Sequence, residues 1–172
     1  IGMGKTTAAG DFRRFGVPVH DADAAVHQLM SFGGAAVPLI SGAFPGVEVE
    51  GRIDRAKLGA RVFDNLDQLR RLEEIIHPIV AAHKSQFIKT ASRRRAPFVV
   101  LDVPLLFETG GDAACDAVVT VSAPEFVQTR RVLARPGMDR RRLDQILEKQ
   151  MPDVEKRRRS DFIVPTGLGR LE

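Results

Sequence analysis

Short unbroken runs of apolar residues alternate along the chain with longer segments in which apolar residues recur every three or four positions. The runs predict strands at 17–20, 98–101 and 117–121, and a last one within DFIVPTG. The run at 98–101 is typical of a strand that is buried on both faces. Strands that alternate with helices favour right-handed crossovers. We therefore expect an α/β fold with a doubly wound parallel sheet.

Local signals set the bounds of the predicted helices. Asp54 and Pro124 stand at expected helix starts, and Gly16 stands at an expected helix end. The segment 51–53 is predicted to be a turn, and Pro78 is predicted to interrupt a helical pattern. The predicted helices cover 6–15, 22–30, a short part of 31–46, 54–63, 66–76, 79–91, 124–133 and 139–150.

Cysteine content, apolar run length and net charge add to this picture. The single cysteine, Cys115, excludes an internal disulfide and favours a reducing compartment. No apolar run approaches the ~20 residues of a membrane span, so we expect a soluble cytoplasmic protein with no membrane partner. A formal net charge of +4 suits a nucleic-acid binder, and it suits equally a protein that holds polyphosphates.

The opening stretch IGMGKTT matches the second half of a phosphate-binding loop, G-x-x-x-x-G-K-[ST]. Gly2 and Gly4 let the backbone approach phosphate oxygens, and amides at the start of the next helix point at the anion. In this interpretation Lys5 reaches the outer phosphates and the Thr6 hydroxyl binds Mg²⁺. Thr7 adds a second hydroxyl near the phosphates. The alternative is an ordinary glycine-rich turn before a helix.

The same motif predicts a segment ahead of the printed sequence. In the full pattern the first glycine stands five residues before Gly4, which is two residues before Ile1. A phosphate-binding loop normally follows a central strand, and the four strands predicted within the chain do not include it. We therefore expect roughly ten further residues before Ile1, enough for one strand and a turn.

Carboxylates follow two of the predicted strands. Asp21 and Asp23 come after the strand at 17–20, at the end where ligands gather in open α/β sheets. One of them could act as a base for a substrate hydroxyl, or they could bind Mg²⁺ through water molecules. The alternative is that they only cap the helix that follows. Asp102 ends the run at 98–101 and resembles the carboxylate that binds the hydration shell of magnesium in nucleotide-binding proteins.

The basic residues leave alternatives open. Arg131 and Arg135 are four apart, which predicts one helix face, and they could neutralise charge on a transferring phosphoryl group. A solvated charged face is the alternative, and it is the better interpretation of the arginines at 93–95. His77 precedes Pro78 and either contacts a substrate phosphate or is structural. A non-catalytic nucleic-acid binder also stays open, although the strand-end carboxylates argue against it.

Taken together, the motifs resemble those of the dephospho-CoA kinases. In order and at similar spacing the chain shows IGMGKTT, GVPVHDADAAVHQL, LGARVFDN, LEEIIHPIV, FVVLDVPLLFETG, QTRRVLARPGM and QILEKQMPDVEKRRRSDFIVPTG, which cover essentially its whole length. The resemblance implies transfer of the γ-phosphoryl group of ATP to the 3′-hydroxyl of dephospho-CoA, which gives CoA and ADP. This is the last step of coenzyme A synthesis. Another nucleoside or nucleotide kinase of the same fold is the alternative, because fold alone does not fix the acceptor.

The resemblance also implies a domain layout. It implies a phosphate-loop kinase core at about 1–30, 96–125 and 160–172, a helical substrate-binding region at about 31–95, and a lid at about 131–158. The implied partners are ATP and dephospho-CoA, with Mg²⁺, and with no nucleic acid. We expect a monomer or a weak homo-oligomer.

The resemblance finally assigns roles to individual residues. Asp23 is the base or hydroxyl-positioning carboxylate, and it is joined in catalysis by Lys5, Arg131 and Arg135. Substrate binding falls to Asp23, His77 and Glu108, and the metal ligands are Thr6 and Asp102. The ATP-binding residues are Gly2, Met3, Gly4, Lys5, Thr6 and Thr7. Lys156 stands where some relatives have Arg, so the charge is kept but the bidentate fork is lost.

Overall fold

The computed structural model describes residues 1–63 and 65–167, and these residues fall into two units. The first unit consists of Ile1–Gly16 and Val103–Glu172, and it is called the loop unit because it contains IGMGKTT. The second consists of Val17–Asp102 and is called the helical unit. The last five residues of the predicted core segment 160–172 lie outside the described residues.

Among its described residues, the loop unit combines four α-helices with one parallel strand pair. Strand β5 (Val119–Ser122) pairs with β6 (Phe162–Pro165), with Val119 opposite Phe162 and Ser122 opposite Pro165. The buried apolar residues of this unit are Ala9, Phe107, Val118, Ala123, Val132 and Leu143. Its elements are α1 (Lys5–Arg14), a 3₁₀ turn (Gly111–Ala114), β5 (Val119–Ser122), α6 (Glu125–Leu133), α7 (Arg140–Glu148), α8 (Asp153–Arg159) and β6 (Phe162–Pro165).

The described residues of the helical unit place a second parallel strand pair beside four helices. The elements are β1 (Val19–Asp21), α2 (Ala22–Met30), α3 (Val37–Ala43), β2 (Glu48–Val49), β3 (Arg52–Ile53), α4 (Arg55–Val62), α5 (Leu66–Arg93) and β4 (Val100–Asp102). Strand β1 pairs with β4, with Val19 opposite Val100 and Asp21 opposite Asp102. The long helix α5 packs against α2, α3 and α4.

The parallel pairs confirm the predicted α/β class, because parallel neighbours require crossover connections of the helical kind. The four predicted strands are all present, and most predicted helices lie within two residues of their expected bounds. Asp54 caps α4 by accepting from the amides of Ala56 and Lys57, as its position predicted. None of the helices in the described residues is long and apolar enough to cross a membrane.

The prediction of a plain turn at 51–53 is wrong. Arg52–Ile53 forms strand β3, which pairs with β2 in an antiparallel hairpin. The two residues between the strands, Glu50 and Gly51, have φ angles of 50° and 75°. Positive φ at both central positions matches the twist of a two-residue hairpin, and this turn chemistry was not recognised in the sequence.

Two further expectations need correction. Helix α5 runs without a break from Leu66 to Arg93 with Pro78 inside it, because packing on three neighbouring helices outweighs the loss of one backbone hydrogen bond. The run at 98–101 is not buried on both faces, and Phe98 is 54% exposed. Pairing begins only where the amide of Val100 donates to Pro18, so β4 is a three-residue strand.

Helix α8 was missed by sequence reasoning. It follows Pro152 and covers seven residues, Asp153–Arg159, none of which is buried. A helix without a buried face gives no apolar period, so periodicity could not predict it. The available signal was Pro152 at the start, with Asp153 and Glu155 in the first turn and a run of basic residues in the last.

Candidate functional site

The loop unit folds IGMGKTT into a sharp turn that leads directly into helix α1. Gly2 and Gly4 have φ angles of 75° and 93°, a left-handed conformation that favours glycine. Helix α1 begins at Lys5, its N-cap Gly4 has no side chain, and no acidic residue stands in its first turn. The positive end of the helix dipole is therefore suited to an anion, with the exposed hydroxyls of Thr6 and Thr7 beside it.

Close packing behind the loop explains the need for both glycines. A Cβ atom at Gly2 would lie 2.6 Å from Cγ2 of Val132, and one at Gly4 would lie 3.1 Å from Oγ1 of Thr166. The loop backbone therefore lies directly on α6 and on the segment after β6. A side chain at either position would push the loop away from these supports.

Polar side chains hold the loop backbone from behind. Gln128 is buried and donates from Nε2 to the carbonyl of Ile1 at 2.7 Å. Arg131 donates to the carbonyl of Thr166 at 2.6 Å and to its Oγ1 at 3.1 Å. Oγ1 of Thr166 in turn donates to the carbonyl of Met3 at 2.5 Å. Arg131 and Thr166 thus form a bridge between the end of β6 and the loop.

Sequence reasoning singled out Arg131 but missed Gln128 and Thr166. Gln128 is three residues before Arg131, which places both on one face of α6. That spacing is visible in the segment QTRRVLARPGM, where Gln128 is the first residue and Arg131 the fourth. Thr166 directly follows β6, and a residue after the carboxyl end of a parallel strand lies where ligands gather in α/β sheets.

Arg135 does not share a helix face with Arg131, so that prediction is wrong. Helix α6 ends at Leu133, and Arg135 lies exposed in the turn that follows. Pro136 is the cause, because a proline disfavours the helical conformation of the residue before it. Any contact between Arg135 and a phosphoryl group stays a prediction.

Glu108 and Lys156 form a half-buried ion pair in the loop unit, with 2.8 Å between Oε1 and Nζ. The same Oε1 accepts from the amide of Met151 at 2.8 Å. Burial raises the pKa of Glu108, but the bonds to Lys156 and Met151 outweigh burial and bring the pKa below its ordinary value. The structure thus gives Glu108 a contact that the sequence did not indicate.

The two carboxylates of HDAD, both in the helical unit, have different surroundings. Oδ1 of Asp21 accepts from the amide of Ala24 at 2.9 Å, so Asp21 is the cap of α2. Asp23 lies exposed in the first turn of α2, where the helix dipole favours a carboxylate. Asp102 is buried at the end of β4, directly opposite Asp21 in the strand register. His77 is exposed on α5.

The protein offers Mg²⁺ a partial set of oxygen ligands, which suits a metal that is also bound by water and substrate phosphates. Residues 1–63 and 65–167 contain no group of three or more His, Cys, Asp or Glu side chains that could hold a metal ion. Mg²⁺ usually keeps several waters and takes one or two protein oxygens together with substrate phosphates. The exposed hydroxyl of Thr6 at the start of α1 fits that chemistry.

Comparison with known proteins identifies close relatives. The sequence profile described as CoaE, dephospho-CoA kinase, matches residues 1–168. The dephospho-CoA kinase of Paramagnetospirillum magneticum is 58% identical over 91% of this chain and 74% of its own length. The dephospho-CoA kinase of Mesorhizobium japonicum is 55% identical over 98% of this chain and 85% of its own length.

Two solved structures share the fold. The crystal structure of TT1252 from Thermus thermophilus superposes with a TM-score of 0.82 at 35% identity, covering 99% of this chain and 86% of that chain. The dephospho-CoA kinase from Campylobacter jejuni gives a TM-score of 0.67 at 20% identity, covering 98% and 85%. These likenesses support the expected phosphate-loop kinase fold.

Proposed function

Because the chain belongs to the dephospho-CoA kinase family, we propose that its IGMGKTT loop binds ATP and that the helical region at about 31–95 takes part in binding dephospho-CoA. The chain has the family's activity: it transfers the γ-phosphoryl group of ATP to the 3′-hydroxyl of dephospho-CoA, giving CoA and ADP. It uses Mg²⁺ in this reaction, the final step of coenzyme A synthesis. The observation that carries the ATP assignment is the left-handed glycine turn that leads into α1 at Lys5.

On the donor side, the ATP phosphates are bound by the loop residues Gly2, Met3, Gly4, Lys5, Thr6 and Thr7. Lys5 stabilises the charge that builds up on the transferring phosphoryl group. Arg131 holds the loop through Thr166, and we assign it and Arg135 to the stabilisation of the same charge. Mg²⁺, when bound, neutralises charge on the outer phosphates, and we assign Thr6 and Asp102 to it.

On the acceptor side, Asp23 accepts the proton of the 3′-hydroxyl or fixes its direction. The 3′-oxygen then forms its bond to the γ-phosphorus while the bond from that phosphorus to the β–γ bridging oxygen breaks, and ADP leaves. The exposure of Asp23, set against the capping role of Asp21, supports this choice between the two carboxylates. His77 and Glu108 complete the proposed substrate-binding set.

The remaining assignments follow the family layout. We assign the kinase core to about 1–30, 96–125 and 160–172, the substrate region to about 31–95, and a lid to about 131–158. Closure of such a lid would exclude water and protect ATP from hydrolysis. We propose a cytoplasmic monomer or weak homo-oligomer that does not bind nucleic acid.

An acceptor panel tests the proposed function. ADP release would be followed with dephospho-CoA, adenosine, AMP and a no-acceptor control at matched concentrations. Among these acceptors, we expect only dephospho-CoA to raise ADP release well above the control, and we expect CoA to form at the same time. Equal or faster release with adenosine or AMP would instead identify another nucleoside or nucleotide kinase.

A further inference from the structure

Two histidines of the helical unit make a contact that the proposed phosphoryl transfer does not use. His20 lies in β1 and is only 4% exposed, and His83 lies half-buried on α5. Nε2 of His20 and Nδ1 of His83 are 3.1 Å apart, which is a hydrogen-bond distance. The ring of Phe87, one turn after His83, has its centroid 5.2 Å from that of His20. Strand β1 is thereby joined to the long helix.

His20 directly precedes the segment that carries the acceptor-side carboxylates. Asp21 is the next residue, and its bond to the amide of Ala24 fixes the first turn of α2. Asp23 stands in that turn, and α2 itself packs against α5. A displacement of His20 would therefore move the cap and, with it, the turn that carries Asp23.

We propose that the His20–His83 hydrogen bond positions the carboxylate of Asp23 for the acceptor hydroxyl. The proposal rests on the role given to Asp23 above. Neither histidine is a catalytic residue in this account, because both act through the backbone of β1 and the first turn of α2. A misplacement of about 1 Å at a reacting group costs roughly 100-fold in rate, so a distant positioning contact has a measurable kinetic effect.

The hydrogen bond constrains the protons of the pair. One of the two facing nitrogens must carry a hydrogen and the other must accept it. Nδ1 of His20 is buried and has no hydrogen-bond partner among the described residues.

The surroundings of His20 disfavour a positive charge on its ring. The pKa of His20 is lowered, first by burial and then by His83 and Lys84, both on α5. Asp21 on its own strand acts in the opposite direction and is outweighed.

Three variants separate positioning from simple stability. His83→Ala removes the bond, whereas His83→Asn places an amide near the position of Nδ1, which can accept from Nε2 of His20 or donate to it. His27→Ala is the matched control, because His27 is an exposed histidine on the same helix as Asp23. For each variant, kcat and KM for both substrates would be measured, and thermal melting would check the fold.

We expect His83→Ala to lower kcat with dephospho-CoA about tenfold or more while KM for ATP changes less than about twofold. His83→Asn should recover most of the rate. His27→Ala should behave as the wild type. A folded His83→Ala variant with wild-type kcat would overturn the proposal, and so would a His83→Asn variant as slow as His83→Ala.

If His83→Ala does not fold, His83→Leu replaces it, because leucine keeps a side chain of similar size without a hydrogen-bonding atom. A wild-type kcat in folded His83→Leu would overturn the proposal, and a lowered kcat that His83→Asn restores would support it. A wild-type chain that does not phosphorylate dephospho-CoA at all would overturn the proposed function and this inference together. An active wild type with unresponsive variants would overturn this inference alone.

Discussion

Different kinds of interaction stabilise the interior of each unit. The helical unit buries one contiguous apolar cluster drawn from α2, α3, α4, α5 and the β2–β3 hairpin. The loop unit also has buried apolar residues, but its phosphate-binding turn is held by side chains that bond to backbone carbonyls. The apolar cluster consists of Leu29, Met30, Ala36, Val37, Ile40, Phe44, Val47, Ile53, Leu58, Val62 and Ile76.

This difference separates stability from chemistry. Apolar burial supplies free energy in proportion to area and has little directional preference. Hydrogen bonds contribute less net free energy but fix direction, which a phosphate-binding loop requires. Substitutions in the apolar cluster should therefore lower stability, and substitutions around the loop should lower activity in a chain that is still folded.

The largest expected effect is in the apolar cluster. Phe44 is 1% exposed, and Phe44→Ala should lower the free energy of unfolding by about 3–5 kcal/mol. Urea unfolding measures this loss. Phe63 lies in the same unit but is 86% exposed, so Phe63→Ala should cost less than about 0.5 kcal/mol. Equal losses from the two variants would contradict the assignment of the cluster as the core.

Lys5→Ala should lower the rate of phosphoryl transfer and leave the fold intact. The loss of a cation that stabilises transition-state charge should lower kcat/KM about 10²–10³-fold. The melting temperature should stay close to that of the wild type. Lys57→Ala, on an exposed part of α4, is the control and should keep full activity. A wild-type rate in Lys5→Ala would rule out the loop assignment.

Two glycines of the loop unit give a matched pair. Gly2→Ala introduces a Cβ atom 2.6 Å from Val132 at a φ of 75°, and we expect a cost of about 1–3 kcal/mol with weaker ATP binding. Gly10 lies inside α1, where a Cβ atom meets nothing within 4 Å. Gly10→Ala should therefore stabilise the helix by up to about 1 kcal/mol. ATP titration and thermal melting measure both effects, and similar behaviour of the two variants would refute the close packing behind the loop.

The smallest expected effect concerns the Glu108–Lys156 pair. Because the pKa of Glu108 is lowered in the folded chain, the pair stabilises the fold above the ordinary glutamate pKa, and this stability is lost as the pH falls through the lowered value. Glu108→Gln keeps the shape and the bond from Met151 but loses the charge. It should cost about 1 kcal/mol at pH 7 and less in acid, as urea unfolding at both pH values would show. A loss of unfolding free energy in Glu108→Gln that is larger in acid than at pH 7 would contradict the lowered pKa of Glu108.

The sequence predicted what depends on local pattern. The glycine spacing of IGMGKTT, the cap at Asp54 and the apolar run before Asp102 each contain their own signal, and each led to the correct element. The reaction was predicted from the resemblance to the dephospho-CoA kinases, because no single motif indicates which acceptor is phosphorylated.

What the sequence could not provide depends on tertiary contacts. The bonds of Arg131 to Thr166 and of His20 to His83 join residues 35 and 63 positions apart, and nothing in either segment alone indicates the partner. The continuity of α5 through Pro78 likewise depends on the helices that pack against it. The end of α6 before Arg135 was predictable, because Pro136 follows directly.

The central claim is that Asp23, and not its neighbour Asp21, serves the acceptor hydroxyl. The most direct test compares kcat with dephospho-CoA, and the Kd for ATP, in Asp23→Asn and Asp21→Asn. Asparagine caps a helix about as well as aspartate, so Asp21→Asn should keep near wild-type turnover. Asp23→Asn should lower kcat about 10²–10⁴-fold with an unchanged Kd for ATP. Wild-type turnover in Asp23→Asn would contradict the account.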